Sequence, residues 1–161
     1  MIPQRLSLLL IGFALAGCGS SVSQAGADNA PVPAPETLEH AEAVWDSHAT
    51  ERYQVTVQQT CFCPEDMRQP IRVTVSAGEV VKAEGLEQPL QNRNLLDNQR
   101  LTVAGLFLFI EQSAAKDPHR LEVVYDARYG FPRRIDYDGH EMIADDEFQY
   151  ELSDFRAGGT D

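Results

Sequence analysis

The spacing of apolar residues along this chain changes period several times, and each change marks an element. Residues 6–16 form an apolar run of eleven, followed at once by a polar stretch. In residues 36–49, Leu38, Ala41, Trp45 and His48 share one stripe at helical spacing, just after Pro35 and with Glu36 and Glu39 at the start. This predicts a helix. From Arg52 the period drops to two: Tyr53, Val55, Val57, Cys61 and Cys63 alternate with Arg52, Gln54, Thr56, Gln58 and Thr60, and only Gln59 breaks the inner row. That is the pattern of a half-buried strand over residues 52–63. Residues 71–75 and 80–83 flank Ala77-Gly78 as a hairpin, and the long polar stretch 85–100 is a candidate functional loop. Thr102 caps a second helix in which Val103, Leu106, Phe107 and Ile110 recur at helical spacing. Leu108 and Phe109 make that helix apolar nearly all round, as expected of one in the centre of a core. Strands return at 121–125, 131–137 and 147–155, with turns at 127–130 and around Asp138-Gly139.

Consecutive strands joined by short turns pair antiparallel. The order αβββαβββ therefore predicts an α+β fold, with two helices packed on one face of a curved, mainly antiparallel sheet of about six strands. The repeated order of a helix and three strands hints at a duplication, although the residues of the two halves match poorly.

The N-terminal run bears on where this domain works. Residues 1–5 carry one positive charge, and the eleven apolar residues that follow have the length of a signal-peptide core. Spanning a bilayer takes roughly 20 residues. Leu15-Ala16-Gly17-Cys18 then resembles the lipobox of bacterial lipoproteins, which implies cleavage before Cys18 and acylation of that cysteine. The organisation expected is a lipoprotein signal peptide (1–17), a lipidated cysteine with a Pro/Ser/Gly/Ala-rich tether (18–35), a single globular domain (36–155) and a flexible tail (156–161). Such a tether reaches on the order of 20–25 Å, and two or more acyl chains at about 0.8 kcal/mol per buried methylene hold it stably in a bilayer. Gly19, where Asp would direct retention, resembles the pattern of outer-membrane sorting. The expected location is thus the cell envelope, at the outer membrane facing the periplasm in a host with two membranes.

Charge narrows the partners. The chain carries a net −12, and −13 once residues 1–17 and their Arg5 are removed. Arg133-Arg134 is the one adjacent pair of cations. An acidic surface of this kind repels phosphate backbones, so nucleic acid is excluded as a partner. The expected partners are the lipid bilayer, through acylated Cys18, and a protein of the envelope.

Several motifs combine into a resemblance. Trp45 on the first helix precedes Tyr53, then Cys61-Phe62-Cys63-Pro64, a Val-x-x-Leu-Phe helix, Tyr125-Asp126, Tyr129-Gly130-Phe131-Pro132, Ile135-Asp136 and Asp145-Asp146-Glu147. Together they resemble a family of small exported bacterial proteins known only as a domain of unknown function. The resemblance spans roughly residues 45–155 and implies a secreted or lipid-anchored protein; it carries no catalytic residue onto this chain.

With Cys18 assigned to lipid, Cys61 and Cys63 are the remaining cysteines. In a flat strand residues i and i+2 share a face but lie too far apart to bridge. A disulfide between them needs a bend, which Pro64 is placed to provide by ending the strand. Three readings stay open: a local structural clip, a labile thiol-redox pair, and soft-metal ligands such as Cu(I). The acidic run 136–147 puts Asp136, Asp138 and Glu147 at positions one, three and twelve of a calcium loop, but Gly139 stands two places too early and the flanks are strands. These carboxylates are weak metal candidates. Tyr129 and Phe131 are a possible partner surface, beside the turn-forming Gly130 and Pro132. Ser113, Ser153 and the four His residues show neither a nucleophile elbow nor His-x-x-x-His spacing, and Asp117-Pro118-His119 suits a turn. No phosphate-binding glycine loop is present, and no cofactor is implied. The function expected is non-enzymatic binding or support in the envelope, through a sheet edge or the 85–100 loop; the alternatives are a thiol-disulfide protein and a divalent-cation binder.

Overall fold

A computed structural model describes residues 31–158 other than 49, 92, 94, 95, 98 and 144. The expected signal peptide, Cys18, most of the expected tether and the end of the expected tail lie outside the described residues. The chain runs α1 (Leu38–Ser47), β1 (Arg52–Thr60), α2 (Glu65–Arg68), β2 (Ile71–Ser76), β3 (Glu79–Gly85), a 3-10 turn (Gln99–Leu101), α3 (Val103–Ala114), β4 (Arg120–Tyr125), β5 (Pro132–Asp138) and β6 (Phe148–Ala157). Both long helices start on a threonine. Thr37 accepts the His40 amide at 3.3 Å and Thr102 accepts the Gly105 amide at 3.0 Å, each satisfying an amide that the helix cannot.

The six strands form one open antiparallel sheet in the order β3-β2-β1-β6-β5-β4. The α+β expectation is met, with one short helix more than the sequence pattern foresaw. The topology speaks against a simple duplication, because the first strand of the first half pairs with the last strand of the second. β1 lies at the centre, between β2 and β6. Its odd residues Tyr53, Val55 and Val57 join Ile71, Val73 and Val75 of β2, Ile135 of β5 and Tyr150 and Leu152 of β6 in one core. The helices complete it with Ala41, Val103, Leu106, Phe107, Phe109 and Ile110. Tyr53 shows that both helices cover the same face: its ring meets Trp45 of α1 at 5.3 Å, and its hydroxyl reaches the first amide of α3.

α3 departs from the expected all-round burial. Leu108 is partly exposed, and Ala104, Glu111 and Gln112 also face solvent. The helix therefore lies on the sheet with one side in water. Among the described residues no helix is long and apolar enough to cross a membrane.

A tight turn and several bulges shape the sheet. Ala77 (φ +50°) and Gly78 (φ +80°) join β2 to β3 as a two-residue turn in which both residues are left-handed, the geometry whose twist matches that of the strands. In β6, Asp154 (φ +52°) is an extra residue opposite β1, where the register steps from Gln54–Arg156 to Thr56–Ser153. Strict alternation from Tyr150 and Leu152 would turn residue 154 inward. The bulge turns Phe155 inward in its place, where it packs against Trp45, Tyr53, Tyr129 and Phe131 at 4.8–5.7 Å. Asp154 stays outside and accepts the Thr56 hydroxyl at 3.4 Å. A further bulge, at Arg133, lets Pro132 open β5 without breaking the ladder.

The segment 85–100 is held from below by a buried glutamine. Gln69 Nε2 donates to the carbonyls of Asp66 (2.7 Å) and Gln88 (3.0 Å), and its Oε1 accepts the amides of Glu87 and Gln88, both at 2.9 Å. All four hydrogen-bonding positions of the side-chain amide are used. Asp66 accepts the Gln91 amide at 3.0 Å and Arg93 donates to the Ala83 carbonyl at 2.7 Å, so this loop is strapped to α2 and β3.

Candidate functional site

The site lies at the end of the sheet where β1 stops. The last β1–β6 pair is Thr60 with Gln149. Beyond it the chain bends, and Cys61 and Cys63 are joined by a disulfide with their Cα atoms 5.3 Å apart. A flat strand would hold them at roughly 6.6 Å, so the expected strand over 52–63 ends three residues early to bring them together. Pro64 follows and starts α2, whose Met67 enters the core.

The disulfide leaves Phe62 outside. Its side chain is 86 % exposed, more than any other large apolar residue described. Beside it a hollow of about 380 Å³ is lined by Cys61 and Phe62 together with Arg120 of β4, Asp136 of β5, and Glu147 and Phe148 at the start of β6. The fold thus brings Cys61 and the acidic run, far apart in sequence, to the rim of one depression. A second hollow is lined by Cys61, Phe62, Cys63, Pro64 and Arg68.

The polar groups around the first hollow are largely committed to one another. Asp136 accepts Arg134 Nε at 2.6 Å and Nη2 at 3.2 Å, and Gln149 Nε2 at 2.6 Å. The Arg134 hydrogen bond, with help from Gln149, holds the Asp136 carboxyl below its ordinary range. Asp138 is buried, accepts the His140 amide at 3.1 Å and lies 4.0 Å from His119 Nε2. Glu147 is exposed. Among the described residues no three His, Cys, Asp or Glu side chains converge as a metal would require. The calcium-like spacing of Asp136, Asp138 and Glu147 is therefore spent on an ion pair, a turn and a solvated rim.

Tyr129 and Phe131 lie in the β4–β5 turn, away from this hollow. Asp126 Oδ1 accepts the amides of Arg128 and Tyr129 at 2.9 and 2.8 Å, which folds the turn back toward α1. Gly130 is needed there twice over. Its φ is +78°, and a Cβ on it would sit 2.3 Å from the Ala41 carbonyl oxygen. Phe131 is 4 % exposed and stacked on Phe155, while Tyr129 is half-buried against the same ring. In place of a free patch, the turn sends both rings into the internal aromatic cluster.

Phe62 is the residue that pattern reading passed over, although a signal was present. Every even position from Arg52 to Thr60 faces away from the core and is polar; Phe62 is the first large apolar side chain in that outward row.

A model of a family of unknown function (DUF6174) matches residues 37–157, which is nearly all of the described fold. No curated protein and no solved structure matches the chain. The chain belongs to that family of unknown function.

Proposed function

We propose that this chain is a membrane-anchored bacterial lipoprotein of the cell envelope, tethered through acylated Cys18, whose domain binds a protein partner. The observation that carries the binding reading is Phe62, held in water by the disulfide formed between its two neighbours. Leaving apolar surface in water costs about 25 cal/mol per Å². A flexible loop would fold such a ring against the protein; a loop closed across Cys61 and Cys63 keeps it presented. Interface anchors have this character, being aromatic, fixed in advance and set beside a depression that a partner can fill. The neighbouring carboxylates support binding over acid-base chemistry, since Asp136 is tied to Arg134 and Asp138 to the His140 amide.

The anchor rests on the apolar run 6–16 and on Leu15-Ala16-Gly17-Cys18. It is tested by producing the chain in a bacterial host and taking the mass of its N-terminal peptide. The expected peptide begins at an acylated Cys18, and a Cys18→Ser variant should leave the membrane fraction. A chain that begins upstream of Cys18, or that carries Cys18 unmodified, would sink the tether.

A further inference from the structure

The loop that presents Phe62 carries chemistry that surface contact leaves unused. We propose that the Cys61–Cys63 disulfide exchanges with thiols of the polypeptide that docks on Phe62, so that the partner is a thiol-bearing exported protein. This rests on the binding reading of the same site and names the chemistry of its partner.

Three observations lead there. The disulfide lies beyond the last ladder pair, Thr60 with Gln149, so opening it breaks no sheet hydrogen bond. As a clip it closes a ring of only three residues, and short rings remove far less chain entropy than long ones; the domain gains little by keeping it shut. Both cysteines are partly exposed, and they line a hollow of about 380 Å³ with Phe62, Pro64 and Arg68. A thiol can therefore approach next to the ring that would hold its chain, and a guanidinium lies on the same hollow to favour a thiolate.

The two sulfurs are not equivalent. Cys61 lines both hollows, whereas Cys63 lines one and packs partly against the core. A partner thiolate attacks Cys61 Sγ; the new sulfur–sulfur bond forms as the Cys61–Cys63 bond breaks, and its electron pair leaves on Cys63 as a thiolate. A second partner thiolate then attacks the partner sulfur of the mixed disulfide and expels the Cys61 thiolate. The partner has lost two electrons and gained a disulfide, and the domain holds two thiols. Two further exchanges restore the starting state: the Cys63 thiolate attacks a disulfide, protein-borne or low-molecular-weight, and expels one of its thiolates, and the Cys61 thiolate then attacks Cys63 Sγ of that mixed disulfide and expels the second.

The test uses the full chain with Cys18→Ser, so that Cys61 and Cys63 are the only cysteines. The folded chain is held in mixtures of reduced and oxidised glutathione, quenched in acid, alkylated and weighed, with Trp45 fluorescence recorded in parallel. The expected result is a disulfide that opens and closes within the range of the glutathione couple while the fluorescence stays native. Arg68→Gln should slow opening about fivefold and raise the pH of half-maximal alkylation of the dithiol, and Arg68→Lys should restore both. A disulfide that stays shut until the chain is denatured, or whose opening coincides with loss of the native fluorescence, would overturn the proposal and leave a structural clip. Because glutathione needs no docking surface, that outcome is independent of whether Phe62 contacts a partner.

Discussion

The hydroxyl of Tyr53 accepts the amide of Val103 at 2.8 Å, in the core of the domain. Val103 is the first residue of α3, and its amide has no carbonyl within the helix to receive it. One side chain on the central strand thus satisfies a helix terminus fifty positions away in sequence, while its ring meets Trp45 on the other helix. Tyr53→Phe strands that amide without changing the packing, and should cost about 2 kcal/mol in urea unfolding. Burial also pushes the Tyr53 hydroxyl up to about 12, against an ordinary value of 10, with the Val103 bond opposing the shift. Between those values the unfolded chain gives up the proton and the folded chain keeps it. Stability should therefore be whole below pH 10 and fall by about 2–3 kcal/mol as pH rises toward 12, with Tyr125 and Tyr150 adding in the same direction. The Tyr53→Phe variant should lose less over that range.

The β2–β3 turn carries a correctable strain. Ala77 sits at φ +50°, where its Cβ crowds the following carbonyl. Ala77→Asn, the residue preferred at that turn position, should raise stability by about 0.5–1 kcal/mol. Thermal unfolding would show it as a higher midpoint.

Asp154 tests the bulge in β6. Asp154→Gly accepts the same φ of +52° and should alter stability by less than about 0.5 kcal/mol. Asp154→Val, β-branched at a left-handed position, should cost about 2 kcal/mol. Because the bulge aims Phe155 into the aromatic cluster, the valine variant should also shift Trp45 fluorescence.

Gln69 decides whether the 85–100 segment is a strapped loop. Gln69→Ala removes four hydrogen bonds from a buried position and should cost about 3 kcal/mol. Hydrogen exchange should accelerate first at the amides of Glu87 and Gln88, which Gln69 accepts, before it does so in the central strands.

The alternation in 52–60 made β1 legible because one face meets a core and the other meets water. The αβββαβββ order followed from periods and turns. Pairing of β1 with β6 was not legible, since two strands nearly a hundred residues apart meet through the whole core rather than through a turn. The bulge at Asp154 was hidden for a related reason: its signal is a left-handed backbone, and the residue adopting it is not glycine. α3 looked fully buried because its apolar residues outnumber those its buried side can hold, which leaves Leu108 in water. At the site, the cysteine pair stood out in the sequence, whereas the hollow beside it is assembled from β4, β5 and β6. Tyr129 and Phe131 misled because an aromatic turn reads alike whether it faces water or, as here, Phe155.

Phe62 as the partner's anchor is tested most directly in the cell envelope. A photo-crosslinking residue is placed at position 62, or at Val81, an exposed apolar position on β3, and intact cells producing the chain are irradiated. A discrete crosslinked species is expected from position 62 and none from position 81. No adduct at 62, or the same adducts at both positions, would contradict it.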